Sequence, residues 1–254
     1  MFFFFPLLSL LPVLIYLAAA LLPAFLLLRY VYRHDTIEKE PTDLLVTLLL
    51  MGCLSALCSG VLEAVASYLL QIVVAPGSRI YVILLAFLVV AAVEEGTKLF
   101  FLKRRSWNHP AFNYRFDGVV YAVFVSLGFA ALENVQYVIN YGLSVALPRA
   151  LLAVPGHLSF SIFMGVYYGR AKLLESCGDA EGARRSLLTG YLIAVFLHGF
   201  YDSCAMLGTG LASIVFLVFV ILMFFLAFRT LKRESAYDAP ILPEQDDLPF
   251  DDTL

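Results

Sequence analysis

Residues 80–102 read IYVILLAFLVVAAVEEGTKLFFL, an apolar run that carries only three charged residues. About 20 consecutive apolar residues are enough to cross the hydrocarbon core of a bilayer as one helix. Charged side chains inside such a helix are costly, so they face a protein interior and mark candidate functional positions. This stretch therefore predicts a transmembrane helix that carries chemistry.

The remainder of the 254-residue chain has the same character. It is 61% hydrophobic and 15% charged, with a mean hydropathy of +0.87, whereas globular proteins have about a quarter of their residues charged. We predict an all-α polytopic bundle of seven spans, with the sixth and seventh separated by a Gly208-Thr209-Gly210 turn. The spans are Phe2–Leu28, Leu44–Ile72, Ile80–Leu102, Gly118–Tyr137, Ala146–Tyr168, Leu187–Leu207 and Leu211–Phe228.

The placement of Lys and Arg predicts the orientation of the bundle. Fourteen of these residues fall on one side, and only Arg79 and Arg149 fall on the other. By the positive-inside rule, the N-terminus lies outside the cell and the C-terminus lies in the cytoplasm. The first span lacks a basic region before its apolar run, so we interpret it as a retained helix and not as a signal peptide.

The domain organisation follows from these spans. We expect one transmembrane domain over residues 1–233, with its functional core at 80–207, and an acidic, disordered cytoplasmic tail over 234–254. The four cysteines show no CxxC or zinc-type spacing, so we interpret them as packing residues.

Polar residues recur in the middle of four successive spans. Helical spacing places Glu94 above Lys98 and His198 above Asp202. Because these groups cannot face lipid, we expect them to meet in one hydrated cavity. The set comprises Glu94, Glu95, Lys98, Glu133, Asn134, His157, His198 and Asp202.

Each residue also has a structural interpretation. Lys98 can serve only to neutralise the neighbouring glutamates, and Asn134 can hydrogen-bond between helices. Glu63, near the outer end of the second span, has the features of an interfacial or packing residue. Of Glu94 and Glu95, one is expected to lie off the catalytic face, and the sequence does not say which.

Hydrolysis is the chemistry that suits these groups. A carboxylate can activate a water molecule, and an imidazole can stabilise the oxyanion that forms. A divalent metal such as zinc is an alternative to a metal-free site, although the chain lacks HExxH. Its ligands would be Glu94, Glu133, His157, His198 and Asp202. No nucleophile motif surrounds a Ser or Cys, although Ser159 and Ser161 near His157 stay open.

Spaced motifs between Glu94 and Asp202 resemble those of a known family. In order they are Glu94-Glu95-x-x-Lys98, Arg115-Phe116-Asp117-Gly118, Gly128-Phe129-Ala130-x-x-Glu133-Asn134, His157 with Phe160, and His198-x-x-x-Asp202. Together they are similar to the PrsW family of bacterial membrane proteases, which is related to the CAAX prenyl proteases. The resemblance implies a multi-pass protein of the bacterial cell membrane.

The resemblance also implies roles. Glu94 or Glu95 would be the base, Glu133 its partner, and His198 with Asp202 the pair on the oxyanion side. Two residues depart from the CAAX protease pattern, in which a His stands at the place of Glu133 and commonly an Asn at the place of Asp202. These departures give a metal-ligand role for the carboxylates more weight.

The implied substrate is a single-span anti-sigma factor, cut first on its extracytoplasmic side. Lipid is the other expected partner, no nucleic acid is expected, and the oligomeric state stays open. Two alternative functions use the same buried groups. A proton-coupled transporter would ordinarily show an internal repeat, and none is evident. A non-catalytic membrane scaffold would use the groups only to hold helices together.

Overall fold

The computed structural model describes residues 4–241, with side chains described from Leu11 onward, and within these residues it contains helices and no strands. We number the helices α1 to α7. Their bounds are α1 Phe4–His34, α2 Thr42–Val73, α3 Arg79–Ser106, α4 Asp117–Tyr141, α5 Leu143–Ser176, α6 Ala180–Leu207 and α7 Gly210–Ala236.

All seven helices are long and apolar enough to cross a membrane, which confirms the predicted number of spans. The helices run past the predicted apolar limits, because their ends continue into polar sequence beyond the hydrocarbon core. The predicted turn between the last two helices is also confirmed. Gly208 adopts a left-handed conformation with φ +60°, and the Thr209 side chain accepts a hydrogen bond from the backbone N of Ala212.

Helix α4 lies at the centre of the bundle and is its most buried span. Small residues let its neighbours approach closely. A Cβ built on Gly128 would lie 2.1 Å from the backbone oxygen of Leu49 in α2, and one on Gly165 of α5 would lie 2.6 Å from Cα of Val119. Gly165 therefore lets α5 pack directly against the backbone of α4.

Two spans contain π-helical turns. In α3 the π-helical segment is Leu85–Ala91, and in α5 it is Arg149–Ala153. A π-helical turn adds a residue to the helix, rotates the residues that follow and often occurs at functional sites. Each segment here directly precedes a polar part of its helix, namely Glu94 in α3 and His157 in α5.

The chain beyond α7 packs on the connection between α3 and α4. Arg115 N donates to Ala239 O at 3.0 Å, and Ile241 N donates to Asn113 O at 2.7 Å. The predicted tail therefore begins with three helical residues and an extended segment that is docked through residue 241. Residues 242–254 lie outside the described residues, as do Phe2 and Phe3 of the first predicted span. The disorder of residues 242–254 therefore stays a prediction.

Candidate active site

The π-helical segment of α3 directly precedes the turn that carries the two adjacent glutamates. Glu94 and Glu95 lie in the first turn of the α-helical part, and both side chains are buried. The hydroxyl of Tyr191 in α6 donates to the backbone oxygen of Ala92 at 2.9 Å, next to the end of the π-helical segment. Helix α6 therefore fixes the register of α3 at the site.

Lys98 ties the two glutamates together. Its Nζ lies 2.8 Å from Glu95 Oε1 and 3.2 Å from Glu94 Oε2, and the side chain is 2% exposed. The same ammonium lies 3.9 Å from the ring centroid of Phe129 on α4. Lys98 thus does not extend to the cytoplasmic surface, because two buried carboxylates hold its charge inside the bundle.

His157 joins this cluster from α5, and its partners determine where its proton lies. Its Nδ1 is 3.1 Å from Lys98 Nζ, and its Nε2 is 3.0 Å from Glu133 Oε2. An ammonium can only donate hydrogen bonds, so Nδ1 of His157 accepts. The imidazole therefore carries its proton on Nε2 and donates it to Glu133.

His198 enters the cluster from α6. Its Nδ1 lies 2.9 Å from Glu95 Oε1, which holds the ring as a carboxylate–imidazole pair. The other nitrogen, Nε2, lies 3.4 Å from Asp202 Oδ2 and 4.0 Å from Glu94 Oε2. Phe160 stacks on the imidazole with 4.7 Å between ring centroids. Nε2 is therefore the nitrogen of His198 that faces the remaining site carboxylates.

Glu133 has a second partner, Arg149, for which the sequence predicted no role in the site. Arg149 Nη2 lies 2.8 Å from Glu133 Oε2 at an angle outside the hydrogen-bond range, so the contact is an ion pair. Arg149 Nε donates to Asn134 Oδ1 at 2.8 Å, and the guanidinium lies over the ring of Tyr137. Asn134 also donates to the backbone oxygen of Ala20 at 2.7 Å, so it links α1, α4 and α5.

A cavity of about 620 Å³ opens beside these groups. Glu94 contributes to its wall, whereas Glu95 is fully buried behind it and is not among the lining residues. Lys98 and Asn134 are likewise not among the lining residues. The predicted site residues on the wall are Glu94, Phe129, Glu133, His157, His198 and Asp202.

Glu63 and Arg149 also line the cavity. The structure therefore corrects the interpretation of Glu63 as an interfacial or packing residue. The sequence signal that was available for both residues was their charge at the outer end of an apolar span. The partner of Arg149 comes from another helix, α4, and the cavity that Glu63 faces is lined by several helices, so neither feature was visible in the sequence.

The cluster contains a donor set that suits a zinc-type ion. Ligand atoms of Glu94, Glu95, His157 and His198 all lie within 4.8 Å of one another, and all four residues are buried. Two carboxylates and two imidazoles are ordinary zinc ligands. Three of these residues are already held by Lys98, so an ion among them would require the ammonium to withdraw. Glu133 and Asp202, which the sequence suggested as ligands, lie outside this set.

Comparison with known proteins relates this chain to a protein family. A family model described as PrsW family intramembrane metalloprotease matches residues 40–228. Protease PrsW of Geobacillus kaustophilus is 33% identical over 224 residues, which cover 88% of this chain and 94% of that protein. The Halalkalibacterium halodurans and Bacillus subtilis proteins of the same name are 31% and 30% identical over 87% and 85% of this chain, and 98% and 94% of their own. No solved structure matches the chain.

Proposed function

The chain belongs to the PrsW family of intramembrane proteases, and from that premise we propose that it hydrolyses peptide bonds with Glu94 as the general base. The observation that carries this proposal is the convergence of Glu94, Glu133, His157, His198 and Asp202 on one cavity. Water and an extended peptide both require such a space within the bundle.

Glu94 is preferred to Glu95 as the base because of where each carboxylate lies. Glu94 is on the cavity wall, 6% exposed, and can reach a water molecule there. Glu95 is fully buried, and one oxygen holds both Lys98 and His198. We assign Glu95 to positioning, because it orients the His198 imidazole and keeps Lys98 in place.

The other polar groups fit roles around the scissile bond. His198 presents Nε2 beside Asp202 and Glu94, a place from which its protonated form can donate to the oxyanion. Glu133 holds His157 through Nε2 and is itself held by Arg149. These fixed charges cost no reorganisation during the reaction, which is what makes a preorganised site effective.

A divalent ion is compatible with the proposal, in keeping with the description of the family as metalloproteases. Glu94, Glu95, His157 and His198 would hold it. When bound, such an ion supplies Lewis-acid polarisation of the substrate carbonyl. The general-base role of Glu94 and the oxyanion role of His198 are proposed for the metal-free site.

The proposed substrate is a single-span anti-sigma factor, cleaved near its extracytoplasmic flank. Family resemblance suggests this substrate. The depth of the site in the bundle supports cleavage on the extracytoplasmic side. Glu133 lies eight residues from the end of α4, and His198 lies nine from the end of α6, which corresponds to about 12–14 Å. Both ends lie opposite the basic connections, on the side that the charge distribution predicts to be outside.

The test is cleavage by the purified protein in detergent. An anti-sigma factor from the same genome, truncated to its single span and both flanks, is incubated with the wild type and with Glu94→Gln. We expect a cut in the extracytoplasmic flank by the wild type and at least about 100-fold slower cleavage by the variant. A wild-type protein that cuts no such substrate, or a variant that cuts as fast, would refute the proposed function.

A further inference from the structure

The walls of the cavity carry more negative than positive groups. Its lining residues include four carboxylates and one guanidinium, which belong to Glu63, Glu94, Glu133, Asp202 and Arg149. Three of the carboxylates have a basic partner in the site described above. Glu63 differs, because its carboxylate makes no hydrogen bond or ion pair with any residue in the described part of the chain. Glu63 is therefore the one carboxylate on the cavity wall that has no basic partner among the described residues.

Glu63 lies at about the same depth as Glu94. One turn below them, the hydroxyls of Ser59 in α2 and Thr97 in α3 are hydrogen-bonded at 2.6 Å, which aligns the two antiparallel helices. Glu63 follows Ser59 by four residues, about 6 Å along α2. Glu94 precedes Thr97 by three residues, about 4.5 Å along α3, and because the helices are antiparallel this is the same direction. A substrate held at Glu94 thus passes Glu63 within a short stretch of chain.

The wall that leads to Glu63 leaves room for that chain. Ala56, Gly60 and Glu63 share one face of α2 and line the cavity. A Cβ built on Gly60 would meet no atom within 4 Å. The face therefore presents small residues and open space, followed by a carboxylate.

An unpaired carboxylate at this depth is costly, and a cation from the substrate would offset that cost. We propose that Glu63 forms a subsite for a basic side chain of the substrate. Since packed helices are about 8–10 Å apart and an extended chain rises about 3.3 Å per residue, the basic residue lies about three positions from the scissile bond. This inference rests on the proposed function for the nature of the ligand, a polypeptide, and adds what the site selects.

The subsite would make the enzyme selective. Lys and Arg are enriched in cytoplasmic connections, so a basic residue beside the extracytoplasmic end of a span is uncommon among single-span proteins. In the predicted orientation, Glu63 lies nearer the outer than the cytoplasmic end of α2 and would bind such a residue directly. Proteins that carry only apolar or acidic residues there would bind more weakly.

Binding of designed peptides to the full-length protein in detergent tests the inference separately from catalysis. Each peptide has one apolar span and a fluorophore, and carries either Lys or Gln at one of six positions around its outer end. We expect Lys to improve the affinity for the wild type about fivefold at one or two adjacent positions. The Lys-to-Gln affinity ratio should fall to about one in Glu63→Gln and below one in Glu63→Lys, whose ammonium repels the Lys-bearing peptide.

Asp43→Asn is the matched control, because Asp43 is an exposed carboxylate at the other end of α2, and we expect it to keep the wild-type ratio. Glu63→Gln should melt at or above the wild-type temperature, because it removes an unpaired charge, whereas a helix-bridging role would lower the melting temperature. The inference is overturned if no position favours Lys, including the case of no binding, or if the preference persists in Glu63→Gln. Cleavage of the same peptides is scored separately: discrimination without cleavage would refute the proposed catalysis and leave the subsite standing.

Discussion

Glu94→Gln and Glu95→Gln are adjacent substitutions that should have different effects. Glu95 accepts two charge-assisted hydrogen bonds, from Lys98 at 2.8 Å and from His198 at 2.9 Å, and each is worth about 1.5–3 kcal/mol. A glutamine can replace one acceptor but loses the charge, so we expect Glu95→Gln to destabilise the fold by about 3 kcal/mol. For a chain of this size, that corresponds to a melting temperature about 6–12 °C lower.

Glu94→Gln should instead give a stable protein with little activity. Glu94 has one longer hydrogen bond, to Lys98 at 3.2 Å, and Glu95 keeps the ammonium in place when that bond weakens. We expect a loss of about 1 kcal/mol in stability and of at least about 100-fold in cleavage rate, because the proton acceptor on the cavity wall is removed.

The assay measures thermal unfolding and cleavage on the same detergent preparations. Glu181→Gln serves as the control, since Glu181 is an exposed partner of Arg185 and should alter neither quantity. If Glu95→Gln melts with the wild type, or Glu94→Gln keeps more than a tenth of the activity, the assignment of base and positioning residue is wrong. If both variants unfold alike, the scaffold interpretation gains support.

Four further outcomes follow from the structure. Arg149→Gln should lower kcat/KM about tenfold, because Glu133 loses its cationic partner, whereas Arg149→Lys should retain most of the wild-type kcat/KM. Equal activity of the two variants would show that the charge at position 149 has no such role. Burial raises the pKa of Glu40, on the connection before α2, from 4.5 to about 7. The folded state therefore binds this proton more tightly than the unfolded state does, and the melting temperature should fall as the pH rises from 4.5 to about 7. Glu40→Gln should flatten the pH profile, and an unaltered profile would contradict the assignment. Gly128→Ala brings a Cβ within 2.1 Å of a backbone oxygen of α2 and should cost about 2–3 kcal/mol, whereas Gly60→Ala enters open space and should be near neutral in the same unfolding assay. If a divalent ion is required, a chelator should abolish cleavage, and added zinc should restore cleavage and raise the melting temperature. Full activity in a metal-free preparation would exclude the requirement.

The membrane architecture could be predicted because hydropathy acts along each helix separately. The seven spans and the turn at Gly208 follow from local composition and from the conformational preference of glycine. The π-helical turns before Glu94 and His157 could not be predicted in this way. They depend on how α3 and α5 pack against α6 and α4, which no local pattern contains.

The convergence of the buried polar groups was also predictable, because such groups cannot remain in lipid. Which of Glu94 and Glu95 faces the cavity could not be predicted, because that depends on the rotation of α3 about its own axis. Glu63 was misinterpreted for a related reason. Its sequence neighbours are apolar, and only the surrounding helices show that it faces a cavity.

A continuous series of contacts runs from Arg149 through Glu133, His157, Lys98, Glu95 and His198 to Asp202. These seven side chains come from four helices, and the last two belong to α6. During synthesis, the ribosome must therefore deliver more than 200 residues before the series can close. If this series is the active site, as proposed, a nascent or half-inserted chain would have no competent site with which to cut neighbouring proteins at the translocon.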